Sequence, residues 1–371
     1  MENFKKLLLV ALGRASCLDR PFTAEEWDEI FSIAKKQALI GIMAKAMMQL
    51  PAEQMPSQKL KVRFAIIEDK VEERNALLIS HIGKVAQRMK SVGLECCLLK
   101  GPGIASYYPV PEVRQSGDID VWVLPEEHSN YFASRPSRRV PPIVRKLRHH
   151  WKVGDVVYHH ADVYMFEDGT ALEVHFMPTW MFNPRYNRRL QRYFDSRADR
   201  QFANYDSSLG IAVPDLEFNC VYLLLHIFRH FLFEGVGMRQ LMDYYYLLCS
   251  SDAQQRQRSY DLLCSIGLKR FCAGLMYTLK DYFALEEERM LCAPDRRLGR
   301  FLMHEVELSG NFGTFDPRNA VVSKDASLLF RISARIKHLS RFLRLSPREV
   351  LWGPCFKIWQ SLWRFSNNYN R

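Results

Sequence analysis

The chain has 371 residues, 48% hydrophobic and 25% charged, which is the make-up of an ordinary globular protein with material for two or three domains. With 52 basic against 41 acidic side chains its net charge is +11, which favours polyanionic partners such as nucleotides, RNA or an anionic membrane surface without choosing among them. Nine cysteines, an odd number with no Cys-x-x-Cys pair, exclude a disulfide framework or cysteine-rich zinc site and fit free thiols in a reducing cytoplasm.

The opening stretch MENFKKLLLVALGRASC has the outline of a lipoprotein signal. Its apolar run Leu7 to Leu12 is short for a signal core, and Arg14 stands where a small or apolar residue belongs, so a cytoplasmic location is expected. Residues 1–92 read as a helical region. Thr23 and Glu26 form a capping box ahead of Trp27, Ile30, Ile33 and Ala34, whose spacing is helical. After Pro51 and Pro56, Ser57 to Ser91 reads as one long helix ended by Gly93 and packed against the sheet that follows.

Leu94 to Leu99 is a short apolar strand that runs into Lys100-Gly101-Pro102-Gly103. Glycine lets the backbone approach a ligand and proline suits the first helical position, so the free amides there, with Lys100 beside them, are expected to cradle phosphate. On the next strand, alternation puts Asp118, Asp120 and Trp122 on one face and Ile119, Val121 and Val123 on the other. About fifty residues later Leu172 to Phe176 places Glu173 and His175 on one face. If the strands are neighbours, three carboxylates converge, a grouping that a pair of Mg²⁺ ions stabilises.

Between the acidic strands, Glu126 to Trp151 reads as partly helical and Val156 to Phe166 as a strand, with Asp168-Gly169 as the hairpin turn onto Thr170 to Phe176. The basic run Arg135 to Pro142 is expected to be irregular, either a mobile loop over the site or a solvated turn. His159, His160 and His175 read as part of a solvated antiparallel face, with no fourth ligand spaced to close a zinc site.

Pro214 to Glu217 opens an apolar helix with His226 and His230 on one face. Val221 to Phe233 is interrupted by His226, Arg229 and His230 and does not read as a membrane span. Gly235-Val236-Gly237 leads to Arg239 and Asp243, one helical turn apart and spaced to pair. Residues 252–310 read as packed helices and Leu308 to Ser323 as a linker. Arg331 to Arg371 mixes Arg335, Lys337, Arg341, Arg344, Arg348, Lys357 and Arg364 with Trp352, Phe356, Trp359, Trp363 and Phe365. Packing of these aromatics on the domain is the first reading, and peripheral contact with a membrane the second.

Strand, glycine turn, short helix, Asp-x-Asp and a single later acid is the active-site order of the nucleotidyltransferase superfamily related to DNA polymerase beta. Leu99-Lys100-Gly101, Tyr108-Pro109, Arg114, Asp118-Ile119-Asp120 and Glu173-Val174-His175 resemble its uncharacterised nucleotidyltransferase branch, over Leu94 to Asp243. The expected fold is α+β, a nucleotidyltransferase-like small mixed sheet flanked by helices with a helical C-terminal region. Its expected units are residues 1–92, a catalytic core 93–213, a helical domain 214–310 and the basic aromatic helices 324–371.

The resemblance implies that Asp118, Asp120 and Glu173 hold Mg²⁺ or Mn²⁺ and that Gly101 lies under a triphosphate. Lys100 and Arg114 are expected to position phosphate charge and His175 to reach the cleft. In the family a histidine, a glycine turn, an arginine and an aspartate recur, so His226, Arg239 and Asp243 are expected to face nucleotide or acceptor, a structural ion pair being the alternative. The expected reaction moves a nucleoside monophosphate from a nucleoside triphosphate to a hydroxyl or phosphate on RNA, protein, sugar or lipid. Most of the superfamily has Gly-Ser where this chain has Lys100-Gly101. A non-catalytic nucleotide- or RNA-binding module on the same fold is therefore the alternative.

Overall fold

The computed structural model describes residues 1–128, 131–316, 318 and 328–369, without the side chains of 328–332 and 335. Thr23 starts its helix as its spacing predicts: the Glu26 amide donates to the Thr23 hydroxyl (3.3 Å) and the Thr23 amide to the Glu26 carboxylate (2.9 Å). The long helix runs Gln58–Ser91 and stops at Gly93, whose φ of 68° suits glycine. It buries Phe64, Leu78, Ile82, Val85 and Met89 completely, each contributing about 1.5–3 kcal/mol. Asn75, buried on the same helix, donates to the carbonyls of Glu112 (2.6 Å) and Arg114 (2.8 Å), so the helix also holds the loop that leads into Asp118.

Seven strands form one mixed sheet among the described residues: β1 (Leu94–Leu98), β2 (Ile119–Pro125), β3 (Lys152–Val156), β4 (His160–Tyr164), β5 (Leu172–His175), β6 (Tyr205–Asp206) and β7 (Ile211–Ala212). Their order is β3-β4-β5-β2-β1-β7-β6. β2 is antiparallel to β1 and parallel to β5, and β5 is antiparallel to β4. Helices flank the sheet and continue to the C-terminus, an α+β architecture. Ile119, Val121, Val123, Leu172 and Val174 are buried on one face of the sheet, leaving Asp120 and Glu173 on the other.

Two local expectations need correction. Residues 156–166 are not one strand: β3 ends at Val156 and β4 starts at His160, the chain turning between them so that β4 pairs with both β3 and β5. The basic run 135–142 is neither loop nor turn but the start of a helix, Pro136–His150, with Pro141 and Pro142 inside it. Pro141 has no N–H for the Ser137 carbonyl one turn back, and the Trp363 indole donates to that carbonyl instead (3.3 Å). Arg139 is tied to both oxygens of Asp195 (2.8 and 2.9 Å).

The apolar helix Leu216–Phe233 is capped by Asp215, which accepts from the Phe218 amide (2.8 Å), and most of it is buried within the protein. Gly235 has a φ of 131°, and a Cβ there would lie 2.5 Å from the Ser309 Cβ, so only glycine makes this corner. The following helix, Met238–Ser250, thereby returns Arg239 and Asp243 towards the sheet. In the C-terminal helix Pro347–Ser366, Phe356 and Trp363 pack edge-on against Tyr158 (5.7 and 6.2 Å between rings), while Trp352 and Phe365 stay exposed, so packing accounts for part of the aromatic set. Parts of the expected linker, 317 and 319–323, the side chain of Arg335 and Arg371 lie outside the described residues.

Candidate active site

Register builds the site. Asp120 on β2 stands opposite Glu173 on β5 and Trp122 opposite His175, while β4 adds Asp162 opposite Glu173 and His160 opposite His175. Adjacent strands lie about 4.8 Å apart, so three acids form one row and two histidines with a tryptophan form the next. The Leu99 amide donates to the Asp120 carbonyl (2.9 Å), which extends the β1–β2 ladder and brings Lys100 out beside the acids. Lys100 Nζ lies 3.0 Å from Asp120 Oδ1 and 3.4 Å from Asp118 Oδ2. His175 Nε2 lies 3.1 Å from the same Asp120 Oδ1 and 3.2 Å from Glu173 Oε2. Asp120 Oδ1 is therefore held between two cationic groups. Asp120 Oδ2 is buried and has no hydrogen-bond partner among the described residues.

The protonation states follow from this packing. Burial disfavours the Lys100 ammonium, but Asp118, Asp120 and Glu173 outweigh it and hold its pKa well above the usual lysine value. Burial likewise opposes the His175 imidazolium, and the hydrogen bonds to Asp120 and Glu173 raise its pKa to about 9. Burial, together with the Asp118 charge, pushes Asp120 up to about 6. Glu173 resists burial through its His175 hydrogen bond and nearby His160 and stays well below the ordinary carboxylate range. His159 and His160 are driven down by burial, His160 to about 4, and are neutral at pH 7.

The acids open on a cavity of about 350 Å³. Its far wall is aromatic and basic: Trp180 lies 3.7 Å from the His159 ring, and the Arg229 guanidinium lies over Trp180, Phe182 and Phe233 (3.8, 4.2 and 4.5 Å). The histidine face is thus packed, not solvated as the alternation suggested. Across Lys100 and Asp118 lies a narrower pocket lined by Gly101, Gly117, Arg239 and His226. Gly101 has a φ of 65°, the conformation that requires glycine, and caps a helix of only four residues, Pro102–Ala105.

A family model described as uncharacterised nucleotidyltransferase matches residues 23–284, well over half of the chain. The chain belongs to this nucleotidyltransferase family. No curated protein matches it. Among solved structures it is similar to an antigenic nucleotidyltransferase-like protein from Paracoccidioides brasiliensis, at 12% identity and a TM-score of 0.32, over 60% of this chain and 96% of that one.

In this nucleotidyltransferase-family chain the remaining expected site residues sort into two groups. Lys100, Gly101, Asp118, Asp120, Glu173 and His175 come together. Arg114 and Asp243 instead join each other: Arg114 Nε and Nη2 donate to the two Asp243 oxygens (2.7 Å each), Nη1 donates to Ser116 Oγ (2.9 Å), and the Tyr108 hydroxyl donates to Asp243 Oδ1 (2.6 Å). The Arg239–Asp243 pair suggested by spacing does not form, because the Arg114 fork already takes both oxygens. Arg239 donates to the Gln115 carbonyl (3.1 Å) and borders the narrow pocket. His226 Nε2 lies 3.0 Å from His230 Nε2.

One ligand atom each from Asp120, Glu173 and His175 lie within 4.8 Å of one another, and so do ring nitrogens of His159, His160 and His175. Carboxylate oxygens with one buried oxygen unsatisfied fit a hard divalent cation. The sequence reading missed Tyr108 as a partner of Asp243, the Trp180 wall and Arg229. Arg229 was findable as the third polar residue on the His226 and His230 face of its helix. Trp180 has no local signal.

Proposed function

We propose that this chain transfers a nucleoside monophosphate from a nucleoside triphosphate to a hydroxyl or phosphate acceptor, with Asp118, Asp120 and Glu173 holding Mg²⁺ or Mn²⁺. The observation that carries the reading is Asp120, which lines one cavity with Asp118 and Glu173 and whose buried Oδ2 has no hydrogen-bond partner among the described residues. A bound divalent ion supplies charge compensation for the triphosphate and acidifies the acceptor hydroxyl. Lys100 and Arg239 present positive charge to phosphate on the narrow-pocket side, beside the Gly101 turn. Glu173, held ionised, suits a ligand better than a proton acceptor, while neutral His159 and His160 face the cavity as uncharged bases. Trp180 and Arg229 line the space left for the acceptor and help exclude water.

The test is label transfer from each α-labelled triphosphate into cell extract with Mg²⁺ or Mn²⁺. Asp118→Asn with Asp120→Asn is expected to lower it at least about a thousandfold, the loss of several kcal/mol of transition-state stabilisation, with the fold kept. Undiminished transfer by that double variant sinks the reading. A second reading, a nucleotide- or RNA-binding module, is favoured by Lys100 between the carboxylates. Metal-dependent triphosphate binding without transfer selects it.

Peripheral membrane contact is the smaller proposal. The C-terminal helix exposes Leu351, Ile358, Leu362 and Phe365 in one row, and its only acidic residue, Glu349, is buried. Arg344 and Arg348 are exposed at its start, which suits an anionic bilayer. Co-sedimentation with phosphatidylglycerol vesicles is expected to fall several-fold in a Leu351→Ser, Ile358→Ser, Phe365→Ser variant. Equal pelleting removes this role.

A further inference from the structure

We propose that the Lys100 ammonium is a built-in cation filling one of two cation positions among the carboxylates, so that the site takes a single divalent ion between Asp120 and Glu173. The inference rests on the metal-dependent reading above and narrows it to one ion, on Asp120 and Glu173, with Asp118 paired to Lys100 in place of a second ion.

Three observations carry it. First, Lys100 Nζ is within ion-pair distance of both Asp118 Oδ2 and Asp120 Oδ1, the two oxygens an ion bridging that pair would use. Ammonium and divalent ion compete for them. Second, the lysine side chain is only 13% exposed and follows directly from the β1–β2 ladder, so its anchor holds it in the cluster. Third, the acceptors are used unevenly. Asp120 Oδ1 meets both Lys100 and His175, while Oδ2, on a carboxylate side chain with no exposure, meets nothing among the described residues. A bare carboxylate oxygen in a buried setting is costly, and one ion shared with Glu173 satisfies it.

Charge points the same way. Lys100 brings one positive charge within ion-pair distance of both Asp118 and Asp120. A divalent ion added between the same two side chains would stand against that ammonium, and like charges at these separations repel strongly outside bulk water. Lysine suits the role because its ammonium is a compact point charge on a flexible stem.

The experiment counts Mn²⁺ bound to the full chain, alone and with a non-hydrolysable triphosphate, by electron paramagnetic resonance of the free ion. The count with triphosphate is taken on the isolated complex, free of unbound triphosphate, and includes any ion the triphosphate carries. The expected result is one tight ion for the wild type, one for Lys100→Arg, and two for Lys100→Met. Lys100→Ser replaces Lys100→Met if circular dichroism shows that Met unfolds the chain. Two ions on the wild type, or one on the uncharged variant, overturns the inference and leaves the metal-dependent reading standing. No ion on the wild type overturns both.

Discussion

Two ionic clusters border the same narrow pocket, and they differ in how completely they are satisfied. In one, Arg114, Asp243, Tyr108 and Ser116 match donors to acceptors: both Asp243 oxygens are taken, and the Arg114 fork is filled. In the other, three carboxylates share Lys100 and His175, and one buried oxygen is left over. The first holds the helix carrying Asp243 onto the loop that leads to Asp118. The second retains capacity for a ligand. A complete buried ion network reads as scaffold and an incomplete one as a site, although both consist of residue types that sequence motifs flag equally.

Mutations separate the two clusters. The largest effect on stability is expected from Arg114→Met, which leaves Asp243 buried and uncompensated and costs about 3–5 kcal/mol in urea unfolding. A loss below about 1 kcal/mol would make the Arg114 cluster no more structural than its neighbour. His175 comes next. Its pKa of about 9 lies above the value of 6.5 for a free imidazole, so its stabilisation is complete below pH 6.5 and disappears as pH rises through 9. Wild-type stability is expected to fall by about 2–3 kcal/mol across that window, and His175→Gln to show a flat profile there. Matching profiles would show that His175 is not the titrating group. The smallest effect belongs to Asp118→Asn. It relieves repulsion with Asp120 and Glu173 while weakening one Lys100 contact at 3.4 Å, so stability is expected to change by less than about 1 kcal/mol while transfer is lost.

Legibility tracked the range of the interaction. The capping box at Thr23, the long helix ended by Gly93 and the glycine turn at Gly101 are decided by neighbours within a few residues, and each was readable. The proline-containing start of the Pro136–His150 helix was not, because the donor replacing the missing proline N–H comes from Trp363, 226 residues away. The histidine face read as solvated because alternation reports which side a residue takes, not what covers that side. Trp180 and the helix with Arg229 cover it.

By itself, then, the sequence determined the alternation that puts Asp118 with Asp120 and Glu173 with His175, the glycine conformation at Gly101, and the family to which the chain belongs. These depend on backbone sterics and on short-range order. Only the tertiary structure decided that β5 lies beside β2 with Glu173 opposite Asp120, that Lys100 is seated between the acids, and that Arg114 pairs with Asp243, 129 residues away. A charge has no sequence-local rule for its partner, and in a buried setting it is paired by whichever opposite charge the packing brings within reach.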